Sequence, residues 1–279
     1  SELGFGYFKT DYNVRCEYKD GKWGELYATE DVNMNIHMAS TCLHYGQEVF
    51  EGLKAFRGAD GKVRLFRVEE NAKRMINSGE YLKMAVPSVE LFTKACIEAV
   101  KLNADYIPPY GSGASLYLRP MLIGVGPQVG VKPSADYLFA VFVTPVGPYY
   151  KDGFNCIKVI IDYDHDRAAP KGTGHVKVGG NYAASLDSGE IAHQKGFASV
   201  IFLDPATKQY IDECSAANFF GIRDGKYITP DSHSVLPSIT NKSLRQIAED
   251  LGLKVEQRKV GVEELPTFSE AGCCGTAAV

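Results

Sequence analysis

The chain has 279 residues, 45% hydrophobic and 23% charged, enough apolar material for a sizeable core divided between two domains. Its 30 basic and 34 acidic residues give a formal charge of −4 without long like-sign runs, which argues against nucleic acid or an anionic membrane as partner and for small-molecule chemistry. No apolar stretch approaches the ~18 residues needed to span a bilayer, so no anchor is expected, and the first residues carry no basic region followed by an apolar one, so a signal peptide is expected to be absent or already removed.

The first half alternates sheet and helix signals. Strands are predicted near 24–27, 53–57 and 63–67, and a helical pattern runs from about Glu69 to Met84. A second helix follows Pro87, with Ser88 as its cap and Val89, Phe92, Cys96, Ala99 and Val100 at helical spacing. After a turn at 108–111, two strands are predicted at 114–124 and 136–144. Pro145, Gly147 and Pro148 break the pattern, so residues 146–154 read as a linker between an N-terminal domain (1–145) and a C-terminal domain (155–279). Beyond it come a strand at 156–163, a glycine-dense loop, a short helix over 183–194 and a strand at 198–203. A strand follows at 209–214, then a hairpin closed by Asp224-Gly225 between 219–223 and 226–229. A helix from Pro237-Ser238-Ile239-Thr240 to about Leu251 and a strand at 254–260 complete the pattern.

The loop Gly-Thr-Gly-His-Val-Lys-Val-Gly-Gly-Asn-Tyr (172–182) sets one amine, Lys177, among four glycines with the phenol of Tyr182 five residues on. Glycines let a bulky ligand approach the backbone, and an amine placed there suits covalent carbonyl chemistry, a Schiff base; an exposed loop lysine is the alternative. The loop lacks the spacing of a phosphate-binding Walker motif and of a dinucleotide fingerprint.

An aldehyde cofactor with a ring nitrogen and a phosphate needs an amine, an acid for the nitrogen, a donor for the ring oxygen, and amides or a cation for the phosphate. Lys177 is the candidate amine, Glu213 the acid, Tyr182 the donor. Ile239 and Thr240 stand where a helix opens, a place where free amides bind phosphate, although a simple cap explains them too. Thr276 and Ala277 form a second small-residue turn. On the strand around Ser115, Tyr117 and Arg119 share one face, which suits carboxylate recognition or a surface ladder. Arg74 is a phosphate cation or an exposed helix residue. The six histidines match no metal pattern, no Gly-x-Ser-x-Gly elbow is present, and no metal is expected. The seven cysteines (16, 42, 96, 156, 214, 273, 274) show neither zinc spacing nor Cys-x-x-Cys, which reads as reduced thiols in the cytoplasm.

Several segments together resemble the branched-chain amino acid aminotransferases, of the pyridoxal-phosphate fold-type IV group. They are Cys42-Leu-His-Tyr45, Phe50-Glu-Gly-Leu-Lys-Ala-Phe56, 71–75, 115–124, 177–182, 213–218, 235–240 and 275–278. The most specific is Lys-x-Gly-Gly-Asn-Tyr, followed 36 residues after the lysine by Glu-x-x-x-x-Asn. The resemblance implies a mixed α/β, two-domain enzyme with a small N-terminal domain and a larger cofactor-binding domain built on a barrel-like sheet, acting as a homodimer. It implies pyridoxal 5'-phosphate on Lys177, with Glu213 at the ring nitrogen and Tyr182 at the ring oxygen. Arg74, Ile239, Thr240 and Thr276 would then hold the phosphate. Tyr45, Phe50 and Tyr117 would form the apolar wall of the substrate pocket, and Arg119, Thr276 and Ala277 its carboxylate contacts.

The implied reaction is ping-pong transfer of an amino group between leucine, isoleucine or valine and 2-oxoglutarate. A D-amino acid aminotransferase, an aminodeoxychorismate lyase and a non-catalytic pyridoxal-phosphate binding protein are the alternatives. Relatives usually continue beyond the Gly-Thr-Ala-Ala turn, so the resemblance also implies a chain that is short at its C-terminus. It carries no Cys-x-x-Cys after that turn, so redox control of that kind is not expected.

Overall fold

The structure is a computed structural model and describes residues 3–148 and 155–277. These residues fall into two compact units, 3–148 together with 177–179, and 155–176 together with 180–277. The expected linker lies largely outside the described residues, because 149–154 are not among them.

The first unit opens with β1 (Asn13–Lys19), β2 (Lys22–Trp23) and β3 (Tyr27–Thr29), then α1 (Thr41–Tyr45), β4 (Glu48–Phe50), β5 (Leu53–Arg57) and β6 (Val63–Leu65). Two amphipathic helices follow, α2 (Val68–Tyr81) and α3 (Val89–Leu102), and then the long strands β7 (Ser115–Gly124) and β8 (Tyr137–Val146). Among the described residues the strands make one sheet in the order β2-β1-β8-β7-β5-β6, with β3 beside β1 and β4 beside β7. β7 and β8 pair antiparallel along their full length, from Ser115↔Val146 to Gly124↔Tyr137.

Alternation in that pairing sorts the side chains. One face turns Leu116, Leu118, Leu122, Phe139, Val141 and Val143 into a fully buried layer under the helices, where Phe92 of α3 stacks on Phe139 with ring centroids 5.8 Å apart. Each such side chain contributes roughly 1.5–3 kcal/mol of burial free energy. The opposite face carries Tyr117, Arg119 and Met121, and the partners Lys54 and Phe50 by register.

Local chemistry sets the element ends. Ser88 caps α3 as expected, its Oγ accepting the Leu91 N–H at 3.1 Å. α2 stops at Tyr81 rather than near Met84, because Lys83 takes a left-handed backbone (φ 57°) that no helix can continue through. The strand expected at 24–27 is instead β2 and β3. Asp20 and Gly21 (φ 51° and 79°) form a tight two-residue turn that returns the chain along β1, pairing Tyr18↔Trp23.

The second unit contains β9 (Val159–Asp162), α4 (Gly179–Ala183), α5 (Leu186–Gln194), β10 (Ser199–Leu203), β11 (Ile211–Cys214), β12 (Asn218–Arg223) and β13 (Lys226–Pro230). It ends with α6 (Ile239–Asp250), β14 (Lys254–Arg258) and β15 (Glu270–Cys274). The helix expected over 183–194 is α5, which begins three residues later, and the additional short helix α4 precedes it within the glycine-dense loop. The sheet runs β14-β13-β12-β11-β10-β9, with β15 along β12. Ile201, Leu203, Ile211, Phe219, Ile228 and Val260 form its core.

β11 and β15 both reach Asn218, through Glu213↔Asn218 and Asn218↔Cys274. That shared partner brings Cys214 and Cys273 to a Cα separation of 6.6 Å, and they form a disulfide. The expectation that all seven thiols are reduced is corrected at these two positions; Cys16, Cys42, Cys96, Cys156 and Cys274 are free. Among the described residues no helix is long and apolar enough to cross a membrane.

Candidate active site

Lys177 belongs with the first unit. Its carbonyl accepts the Phe50 N–H at 3.2 Å, and its own N–H is donated to Ser78 Oγ at 3.0 Å. Its side chain is half-buried and reaches over the Phe50 ring, Nζ lying 4.8 Å from the centroid. Behind it sits a fully buried carboxylate, Glu51, gripped by Arg74 at 2.7 Å (Nε) and 2.8 Å (Nη2) and by Asn71 Nδ2 at 2.7 Å. Burial and the Arg74 guanidinium hold the Lys177 amine down to about 8, against a smaller opposing pull from Glu51.

A neutral amine is the nucleophile, so this shift enlarges the reactive fraction near neutrality. In the cofactor-free protein, modification of Lys177 by an amine-directed reagent should rise about tenfold per pH unit up to a pH of about 8 and then level off. Exposed lysines should keep rising past pH ~10. Peptide mapping of reagent uptake against pH checks this; a Lys177 profile matching the exposed lysines would contradict it.

Arg119 completes this group. Its guanidinium donates to Tyr117 Oη at 3.1 Å (Nη2) and 3.3 Å (Nε), and its Cζ lies 4.9 Å from the Phe50 centroid. Tyr117 is buried, with the edge of Phe5 against it at 5.1 Å. Gly52 makes room for the phenol, since a Cβ there would stand 3.0 Å from Tyr117 Cζ. Lys177, Arg74, Phe50, Tyr117 and Arg119 are thus gathered around one sheet face. Tyr45 is not among them; it ends α1, is 43% exposed, and donates its hydroxyl to the Val129 carbonyl.

In the second unit Glu213 lies on β11, buried, with Arg167 Nη2 at 2.5 Å from Oε1. Asn218 Nδ2 donates to its other oxygen at 3.0 Å, and the Leu236 N–H approaches Oε1 at 3.4 Å. Asn218 also accepts from Asn241 in the first turn of α6 at 3.2 Å, so Glu213 and the opening of that helix are tied together. Ser238 caps α6 through the Asn241 N–H at 3.1 Å, which leaves the Ile239 and Thr240 amides at the helix mouth. Thr276 and Ala277, half-buried, follow β15, and the preceding Gly275 packs by Ala216 and Ala217. Tyr182, half-buried, sits in α4.

Asn181 braces the chain before the lysine, donating to the carbonyls of Thr173 at 2.7 Å and Val176 at 3.0 Å. Gly174 runs so close to Ser234 that a Cβ would stand 2.7 Å from its Cα. Arg167 bridges the same two strands of chain, donating to the carbonyls of Gly174 at 2.9 Å and of Ser234.

Glu51 and Arg167 join the candidate residues as partners that the sequence does not single out. Their only sequence signal is negative: charged residues are seldom buried unless paired, and burial is not visible in the chain.

Residues 48–279 match the family model described as amino-transferase class IV. Branched-chain-amino-acid aminotransferases of Haemophilus influenzae and Helicobacter pylori are each 53% identical, over 100% and 99% of this chain and 83% and 82% of those proteins. The crystal structure of the Escherichia coli branched-chain amino acid aminotransferase superposes with a TM-score of 0.79 at 29% identity, covering 97% of this chain and 84% of that one. The T.th. branched-chain amino acid aminotransferase complexed with N-(5'-phosphopyridoxyl)-L-glutamate gives 0.77 at 28% identity, covering 98% and 84%.

Proposed function

The chain belongs to the class IV aminotransferases, and from that membership we propose that it transfers the amino group between L-leucine, L-isoleucine or L-valine and 2-oxoglutarate, using pyridoxal 5'-phosphate. Its fold, mixed α/β of fold type IV, is that of the solved relatives. The observation that carries the reading is the Lys177 amine, held near neutrality in pKa beside a buried Arg74–Glu51 pair and on the same sheet face as Tyr117 and Arg119.

The residues present fit the cofactor's demands. Lys177 would bind its aldehyde, Glu213 would accept a hydrogen bond from the protonated ring nitrogen and keep it protonated, and Tyr182 would donate to the ring oxygen. Arg74, the Ile239 and Thr240 amides and Thr276 would hold the phosphate. When bound, the cofactor supplies an aldehyde for the amino group and a ring that takes up the electron pair of the substrate α-carbon.

The chain's own part is proton handling and positioning. Lys177 Nζ, once released, is the base for the α-proton; its lowered pKa lets it both take and return a proton near neutral pH. The Phe50 face beneath it favours the protonated amine while the proton is held. Phe50 and Tyr117 would line the pocket for a branched side chain and exclude water. Arg119, Thr276 and Ala277 would meet carboxylates, the guanidinium by a forked pair of bonds.

Mixing the cofactor-loaded protein with L-leucine tests the reading: the visible absorption should convert to that of the aminated cofactor, with 4-methyl-2-oxopentanoate released. Conversion by D-alanine and none by L-leucine would overturn it. A sharper expectation concerns Arg119→Ala. Losing a charge-assisted contact worth about 1.5–3 kcal/mol should lower kcat/KM for glutamate by roughly 10- to 100-fold. The loss with leucine should be far smaller, and equal losses for both would count against Arg119 as the acidic-side-chain contact.

A homodimer belongs to the same reading. Met38, Leu43, Tyr45, Val129 and Val131 are all exposed, and the two segments bearing them are bound together by Gln128 N–H to the Ala39 carbonyl and by Tyr45 to Val129. A joined apolar patch of this kind suits a second copy, and sedimentation decides it. A cytoplasmic setting belongs to the same reading; the five free cysteines agree with it and the Cys214–Cys273 disulfide counts against it.

A further inference from the structure

Glu48 has no part in the scheme above, yet it occupies the reactive face of the N-terminal sheet. The register Glu48↔Ile123 and Phe50↔Met121 sets its side chain on the same face of β4 and β7 as Arg119. Its carboxylate accepts the Gly179 N–H, two residues beyond Lys177, and only a glycine at 179 permits the approach, since a Cβ there would collide with the carboxylate. Burial pushes the Glu48 carboxyl up, while the Gly179 amide and then the Arg119 charge pull it back. Arg119 spends hydrogen bonds on the neutral oxygen of Tyr117 and packs on Phe50, so the Glu48 carboxyl lies within its field without occupying its fork.

That placement bears on a difficulty of the proposed reaction. One pocket must accept an apolar branched side chain in one half and an acidic one in the other. A bare guanidinium would favour the acidic occupant strongly and hold it too long. We propose that Glu48 is a specificity-determining residue: its fixed carboxylate offsets the positive field of Arg119, weakening the hold on an acidic side chain and leaving a branched apolar one nearly untouched. The inference rests on the reading of Arg119 as the contact for the acidic substrate.

The experiment compares two unreactive substrate mimics, glutarate and 4-methylpentanoate, titrated into the cofactor-loaded protein and followed by the visible absorption of the bound cofactor. Glu48→Gln keeps an oxygen for the Gly179 N–H and removes only the charge. Glutarate should then bind ~3- to 10-fold more tightly, the order expected for removing one like charge from a partly desolvated site, while 4-methylpentanoate changes less than ~2-fold. Glu48→Asp, which keeps the charge, should stay within ~2-fold of the parent for both.

Unchanged or weaker glutarate binding in Glu48→Gln overturns the proposal. Should that variant lose its cofactor, Glu48→Asn against Glu48→Asp gives the same comparison. Cofactor loss in both neutral variants, with retention in Glu48→Asp, also overturns it and assigns the carboxylate to anchoring the lysine segment. Arg119→Ala separates the two levels of the argument. If it weakens both mimics equally, the reading of Arg119 fails; if it weakens glutarate alone while Glu48→Gln changes nothing, only the role of Glu48 fails.

Discussion

Replacement of Lys177 by alanine is expected to abolish transamination, a fall of about 10⁴-fold or more. Proton transfer by one positioned side chain is by itself worth ~10²–10⁴, and the covalent attachment disappears with the same atom. The loss should be chemical rather than structural. The backbone bonds of position 177 to Phe50 and Ser78 do not involve the side chain, and truncation leaves the Arg74–Glu51 pair in place. Circular dichroism should therefore be unchanged, while borohydride treatment should fix no pyridoxyl group on the peptide containing position 177. Turnover retained in the variant, or a pyridoxyl group found on another lysine, would refute the assignment.

Glu213→Gln should be nearly as severe, for two separable reasons. The neutral amide cannot support a protonated ring nitrogen, and removing one such electrostatic contact costs about 10²–10³ in kcat. The substitution also strands a cation. Arg167 is 9% exposed and lies 2.5 Å from Glu213, so taking away the carboxylate leaves a buried guanidinium without its counter-charge. Breaking such a pair from one side typically costs ~3–5 kcal/mol. The variant should thus melt earlier as well as turn over slowly, whereas Glu213→Asp should recover more of the rate than of the stability. A Gln variant with parental kcat would remove Glu213 from the site.

The distribution of what can be read in the chain follows from the range of the interactions. Helix α3 is legible because its cap and its apolar spacing are local, and so is the Asp224-Gly225 turn. Lys177 stands out because glycines around an amine serve no core. By contrast β15, with the sequence Glu-Ala-Gly-Cys-Cys, has no alternating pattern of its own; it is a strand because β12, distant along the chain, offers it an edge. β1 is different: Val14, Cys16 and Tyr18 alternate with Arg15, Glu17 and Lys19, so the strand is legible in the chain although the expected elements do not include it.

Around the site the same division holds. The period of the strand places Tyr117 and Arg119 on one face, and they do share a hydrogen bond. That Arg74 closes on Glu51 depends on how α2 meets the segment after β4, which no spacing along the chain encodes. Buried ion pairs are written in the fold, and each residue alone looks like an ordinary solvated charge.

One aromatic ring, Phe50, lies beneath both the Lys177 amine and the Arg119 guanidinium, 4.8 Å from one and 4.9 Å from the other. Widening or narrowing the pocket at this position to suit a new side chain would therefore also alter the reactive amine's basicity and the guanidinium's seat. Attempts to re-tune selectivity here will meet a trade-off with speed, and variants that change preference cleanly are to be sought at positions that touch only one of the two cations.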